Sequence, residues 1–454
     1  MSIDRGRLAD LRVREEAAFR DAHPRSAELA AAAGEHLLGG VPMNWMARWP
    51  GAFPLFVAEA EGSRFTDVDG HTYVDLCLGD TGAMTGHARP FVTEALAAQA
   101  PKGLTTMLPT EDAIWVAGEL TRRFGLPVWQ LAMTATDANR FALRLARHLT
   151  GRPKVAVFDW CYHGTVDETF AVLDDDGRVV PRPGSTGPAV DPAETTAVVP
   201  FNDVAALEAA LAGGDVACVL AEPALTNIGI VLPAPGFHDD LRRLTRDAGT
   251  LLIIDETHTI CAGPGGYTAA HGLDPDLLTI GKPIGGGVPA AAYGMTRDLA
   301  DRLAAFVADP ETDVSGIGGT LTASALATSA IRATLSHTLR DEDYAVTVPL
   351  AARWADGVAG VIEDHGLPWH VQQLGCRAEY WFCPPPRDGA EAAAAVDHEL
   401  DSLMHLYALN RGILLTPFHN MALMAPTTTG ADVDRHTEVF AAAVAELAGP
   451  AGGG

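Results

Sequence analysis

Residues 251–287 read LLIIDETHTICAGPGGYTAAHGLDPDLLTIGKPIGGG. Two short apolar runs, LLII and LLTI, stop abruptly at polar residues. Asp255-Glu256-Thr257-His258 follows the first and Gly281-Lys282 the second. A continuous apolar run bounded by turn residues suits a strand buried on both faces. Working outward, VAVF (155–158) and VACVLAE (216–222) repeat the pattern. The stretches between carry helical periodicity, as in DVAALEAALAG (203–213) and GFHDDLRRLTRDAG (236–249). Strands alternating with helices predict a parallel sheet covered on both faces, in a large α/β domain over residues 85–325.

The flanking segments read differently. Residues 1–35 are helical in pattern and rich in charge, and residues 37–56, LLGGVPMNWMARWPGAFPLF, predict an ordered irregular arm. RFTDVDGHTYVDLCLG (64–79) predicts a hairpin turning at Val68-Asp69-Gly70-His71. Residues 326–454 hold Ala-rich helices around HVQQLGCRAEYWF (370–382) and GILLTP (412–417). They predict a smaller α+β domain, to which residues 1–84 contribute a helix and an arm.

Composition narrows the function. The chain has 454 residues, 32 basic against 58 acidic, for a net charge of −26. A surface of that sign repels nucleic acid. Hydrophobic residues make up 48%, enough for a large core. No uninterrupted apolar run reaches the ~18 residues of a membrane span, and MSIDRGRLADLRVREEAAFR lacks the apolar stretch of a signal peptide. Cys77, Cys161, Cys218, Cys261, Cys376 and Cys383 show no CxxC pair. They predict reduced core thiols in a cytoplasmic protein, with no metal site.

In an open parallel sheet, ligands bind outside the carboxyl ends of the strands. The residues there are Glu222-Pro223, Asp255-Glu256-Thr257-His258 and Gly281-Lys282. GKPIGGG has its lysine before the glycines and no Ser/Thr after it, so it is no P-loop, and neither GxGxxG nor GxSxG occurs. A strand-end amine beside glycines suits Schiff-base chemistry with an aldehyde. Pyridoxal phosphate (PLP) would also need an acid at its ring nitrogen, a phosphate cup, an aromatic on its ring face and a partner for its hydroxyl. MTATDANRFALRLARHLTGRPK carries an apolar stripe at Ala138, Phe141, Ala142, Leu145, Ala146 and Leu149. The helix is expected to start near Asp137, with Thr134, Ala135 and Thr136 offering N–H groups and hydroxyls to an anion. The plainer alternative is a Thr N-cap. Tyr162 of the Tyr162-His163-Gly164 turn could stack on the ring, or simply pack. Asn227 could reach the hydroxyl, or serve a turn.

Together these blocks resemble the class III PLP-dependent aminotransferases, in the branch of glutamate-1-semialdehyde aminomutase and the β-amino-acid aminotransferases. The resemblance runs from about residue 36 to 445 and rests on the order and spacing of TDANRFALRLARHLTGRPK, CYHG, LLIIDETHT and DLLTIGKPIGGGVPAAAYG. It implies a PLP-dependent transferase fold of the aspartate aminotransferase type, amino-donor and oxo-acceptor substrates, and a homodimer with shared active sites. By position it implies a PLP aldimine on Lys282, Asp255 on the pyridine nitrogen, Tyr162 stacked on the ring and Thr257 against the opposite face. It places His258 near the ring oxygen, Glu222 and Asn227 near the cofactor, and Thr134, Ala135 and Thr136 at the phosphate. In GGTLTAS (318–324), Thr320 matches a threonine reaching the neighbouring subunit's phosphate.

The departures bear on the substrate. Thr134-Ala135 replaces the family's Ser-Gly. The aminomutases' late glutamate falls near Met421 and an arginine of the β-amino-acid enzymes near Phe418, and neither is kept. Arg48 corresponds roughly to a carboxylate-binding arginine of the family's arm, with cation–π packing on Trp45 or Trp49 as the alternative. Arg377 is a further substrate candidate, or else a partner of Glu379. Trp45, Trp49, Trp381 and Phe418 hint at an apolar substrate side chain. An amino acid or amine transaminase is the favoured reading. An aminomutase, or a PLP-dependent decarboxylase or racemase, uses the same cofactor residues.

Overall fold

The computed structural model of the chain describes residues 3–417 and 419–448. The described residues divide into two compact units, one within 1–89, 345–385 and 395–454, the other of Pro90–Tyr344 and Pro386–Ala394.

The second unit is built on one seven-stranded sheet. Its strands are β1 (Val128–Ala132), β2 (Lys154–Phe158), β3 (Thr196–Val199), β4 (Val216–Ala221), β5 (Leu251–Asp255), β6 (Leu277–Ile280) and β7 (Ala291–Met295). Their order is β1-β7-β6-β5-β4-β2-β3. Every neighbouring pair is parallel except those made by β7, which runs antiparallel to both β6 and β1. The sheet is therefore mixed, not wholly parallel. Ile254 pairs with Ala221 on one side and Leu278 on the other, so β4, β5 and β6 finish at one edge. All of β4 and β6, and all of β5 except its first residue, are buried. Each buried aliphatic side chain there contributes roughly 1.5–3 kcal/mol.

Helix α1 (Ala135–Thr150) follows β1 and buries Ala138, Asn139, Phe141, Ala142, Leu145 and Ala146, with Leu149 packed at the rim. It starts two residues before the expected Asp137. Thr134, in extended conformation, accepts a hydrogen bond from the Asp137 N–H at 3.2 Å, so Ala135 and Thr136 already belong to the first turn. Helix Ala325–His337, which the boundary expected at residue 325 assigns to the C-terminal domain, packs on Pro90–Gln99 and Glu111–Phe124 within this unit.

In the first unit, helices Arg5–Ala22 and Pro24–Gly34 confirm the helical start, and only the short 3-10 turns Leu38–Gly40 and Asn44–Arg48 interrupt the irregular arm. The expected hairpin joins Arg64–Asp67 to Thr72–Asp75, antiparallel, with Gly70 at φ +91° in its turn. A second hairpin joins His370–Leu374 to Arg377–Trp381. Helix Asp341–Asp364 is long and apolar enough to cross a membrane, with a mean hydropathy of 1.2. Length and composition alone give this result, and core helices give it too. Its buried residues, Tyr344, Ala351, Trp354, Val358 and Ile362, follow the spacing of a core-facing stripe, while Arg353 pairs with Asp434 at 2.6 Å on its exposed side.

Candidate active site

Because β4, β5, β6 and β2 run parallel, the residues after their last positions converge at one sheet edge. Asp255 ends β5, is 4% exposed, and is held by three donors. Its Oδ2 accepts from Asn139 Nδ2 at 2.8 Å and from His163 Nδ1 at 2.9 Å, and its Oδ1 accepts from the Thr257 N–H at 3.0 Å. Burial alone would raise its pKa. The His163 hydrogen bond and charge, then Thr257 and Asn139, reverse that and lower it to about 2. Burial would lower the His163 imidazolium, but the Cys161 sulfur and the Asp255 carboxylate raise it to about 10. The pair is thus an ion pair at neutral pH. A carboxylate offers about four lone-pair sites, so Oδ1 keeps room for one more N–H donor, which fits the protonated nitrogen of a pyridine ring.

Lys282 follows β6. Its φ of +50° is left-handed, a costly backbone state for a residue with a side chain. Its Nζ lies 2.7 Å from His258 Nε2. An ammonium only donates, so a charged Lys282 places its proton on the lone pair of His258. The preceding Gly281 is packed on the start of α1, where an added Cβ would meet Ala135 Cβ at 3.0 Å. Gly164 touches the same helix start more closely. Its φ is +84°, and a Cβ there would lie 2.2 Å from Thr136 Oγ1. The lysine segment and the Tyr162-His163-Gly164 turn therefore meet over the first turn of α1.

Thr134 does act as the plain N-cap: its hydroxyl accepts from the Asp137 N–H and donates to Asp137 Oδ2 at 2.9 Å. Thr136 Oγ1 accepts from the Thr165 N–H at 3.0 Å. Both hydroxyls thus have local roles, and the helix supplies an anion with its first-turn N–H groups and positive dipole end. Glu222 is 3% exposed and accepts from the Tyr162 N–H at 3.3 Å and from the Thr226 hydroxyl; burial raises its pKa. Asn227 Nδ2 donates to the Trp160 carbonyl at 3.2 Å. Glu256 is turned away into structural work, accepting from Thr259 Oγ1 at 2.6 Å and from the Tyr267 N–H at 3.0 Å. Thr320 is exposed.

Two residues of this network carried no role in the sequence reading. Asn139 lies at 0% exposure on the inner face of α1, three residues before Ala142, and also accepts from Thr279 Oγ1 at 2.6 Å. A polar residue on an otherwise apolar stripe was the signal. His163 was quoted only as part of its turn. Of the substrate candidates, Trp45 and Arg48 are exposed on the turn Asn44–Arg48 of the first unit. Arg377 is 0% exposed and lies 3.9 Å from Glu379, the structural alternative to a substrate role. Met421 is buried in a strand of that unit, and Phe418 lies outside the described residues.

The class-III aminotransferase family model matches residues 45–349. The glutamate-1-semialdehyde 2,1-aminomutase of Desulfitobacterium hafniense is 35% identical over 416 residues, 90% of this chain and 95% of that protein. The crystal structure of a glutamate-1-semialdehyde-aminomutase from Pseudomonas aeruginosa PAO1 is 50% identical, with a TM-score of 0.96 over 98% of this chain and 100% of that one. A variant of that protein has been solved in complex with PMP. A β-phenylalanine aminotransferase from Variovorax paradoxus is 26% identical, with a TM-score of 0.84 over 96% of each chain.

Proposed function

Since the chain belongs to the class-III aminotransferase family of PLP-dependent enzymes, we propose that it moves an amino group between an amino acid or amine and an oxo acid or aldehyde. The observation that carries this reading is the locked Asp255 carboxylate, one strand away from an amine 2.7 Å from an imidazole nitrogen. Bound there, PLP supplies an aldehyde that condenses with amines and a ring that draws electrons from the substrate carbon.

The chain's own groups do the rest. Asp255, fixed by Asn139 and His163, would hold the proton of the cofactor's ring nitrogen. The first-turn N–H groups of Ala135 and Thr136, behind the Thr134 cap, would hold its phosphate. By the resemblance, Tyr162 and Thr257 would take opposite faces of its ring. Glu222 anchors the Tyr162 backbone and Asn227 that of Trp160. With the cofactor bound, Lys282 Nζ would supply the amine that holds its aldehyde and moves a proton, and His258 Nε2, 2.7 Å away, would exchange that proton with it. Arg48 binds a substrate carboxylate through its two-pronged guanidinium, beside Trp45. The enzyme acts as a cytoplasmic homodimer, and the lack of disulfides among the described cysteines favours the cytoplasmic placement.

A second reading, an aminomutase that keeps its intermediate and needs no acceptor, is favoured by the names of the relatives at 35% and 50% identity. Against it stands Met421, near the position where the resemblance to the aminomutases implies a glutamate. Product analysis of the PLP-loaded protein decides. Amino transfer that stops after one turnover without an oxo acceptor, and resumes with one, supports the transaminase. Continuous isomerisation of one substrate without acceptor supports the aminomutase.

A further inference from the structure

His23, at the junction of helices Arg5–Ala22 and Pro24–Gly34, meets Asp67 and His71 of the hairpin. Asp67 Oδ2 lies 3.5 Å from His23 Nε2 and 3.3 Å from His71 Nδ1, and the three atoms fall within 4.8 Å of one another. Ligand atoms about 2.0–2.1 Å from a tetrahedral zinc ion stand roughly 3.3–3.4 Å apart. We propose that His23, Asp67 and His71 bind one divalent transition-metal ion of the Zn2+ type.

The surroundings orient each ligand as metal sites require. His23 Nδ1 faces the Phe19 carbonyl at 2.7 Å. A carbonyl only accepts, so the proton sits on Nδ1 and a neutral ring turns its Nε2 lone pair toward Asp67. Asp67 Oδ1 accepts from the N–H groups of Asp69 and His71, both at 2.9 Å, which leaves Oδ2 facing the histidines. His23 and Asp67 are buried, while His71 is exposed and gives access from solvent.

The Tyr73 hydroxyl lies 2.8 Å from His23 Nε2 and donates to Asp67 Oδ2 at 2.9 Å, and His71 Nδ1 faces the same carboxylate oxygen at 3.3 Å, so the ligand atoms already gather round one polar point. Two imidazoles and one carboxylate form a borderline donor set that suits Zn2+ over Ca2+ or Mg2+, and water completes the coordination. The ion would tie the junction of the first two helices to the hairpin.

The test uses the full chain loaded with PLP and cleared of metal by a chelator. Zn2+ is titrated in competition with a chromophoric chelator, and Co2+ is added separately to read its visible spectrum. The expected result is one Zn2+ per chain, a tetrahedral Co2+ band, and at least a tenfold loss of affinity in both His71→Ala and Asp67→Asn. His71 is exposed, so its variant keeps the fold, and unchanged PLP absorbance checks this. Zn2+ bound only at millimolar concentration, no binding, or unchanged affinity in His71→Ala overturns the proposal. The second of these outcomes would mean that His23, Asp67, His71 and Tyr73 form a closed hydrogen-bonded cluster that takes no ion.

Discussion

At the scale of single residues, the His163–Asp255 pair has opposite consequences at the two ends of the pH range. Asp255 is depressed to about 2, so its contribution is complete above the unfolded value of ~3.9 and is lost as pH falls toward 2. His163 is raised to about 10, so its contribution is complete below the unfolded value of ~6.5 and is lost as pH climbs through 10. The hydrogen bond between them contributes to both, with Cys161 adding to the rise of His163. His163→Phe removes the charged partner but keeps a ring of similar size. In urea denaturation, the stability gap between the wild type and this variant should be widest near pH 5–6 and shrink steadily between pH 7 and 10. A gap independent of pH over that interval would falsify a protonated His163.

At the scale of elements, the site depends on how closely two chain segments approach the first turn of helix Ala135–Thr150. Gly164 is the tightest of these contacts. An alanine there combines a left-handed φ with a Cβ 2.2 Å from the Thr136 hydroxyl, and the Thr136 backbone Cα is only 2.9 Å away. Overpacking of this kind typically costs 1–3 kcal/mol. Gly164→Ala should destabilise the chain by about 2 kcal/mol in denaturant titration. It should also weaken PLP retention on dialysis, because the turn and the phosphate-facing N–H groups move together. An unchanged midpoint would show that the turn relaxes freely. Sequence revealed the elements built from continuous aliphatic runs, LLIID and LLTI, because such runs admit few alternatives. It did not reveal AAYGM (291–295) as a strand, whose alanines and glycine have little preference for one. Gly294 is needed there because the Trp129 ring would meet its Cβ at 2.7 Å, a contact across strands that no local pattern shows. The candidate site was legible where a residue ends a strand. Asn139 was not, since it sits inside a helix and acts on a residue more than a hundred positions away.

At the scale of the whole molecule, a net charge of −26 disfavours self-association, yet the larger unit leaves apolar side chains in water. Met107 and Ile114 are each 77% exposed, Leu108 is 70% exposed and Leu321 is 52% exposed, directly beside the exposed Thr320. Exposed apolar side chains that gather into a patch mark an interface. The homodimer we propose covers it and delivers Thr320 to the partner's phosphate. A hydroxyl bound to a charged phosphate contributes ~1.5–3 kcal/mol, so Thr320→Ala should weaken PLP binding at least tenfold. Thr320→Ser, which keeps the hydroxyl, should restore it. Sedimentation should give a dimer for all three proteins, because the apolar side chains and not Thr320 hold the interface. The two measurements fail separately. A monomer that retains PLP and turns over sinks the shared site altogether. A dimer whose PLP affinity ignores Thr320 keeps the interface and shows that the phosphate is held within one chain, by the first turn of helix Ala135–Thr150.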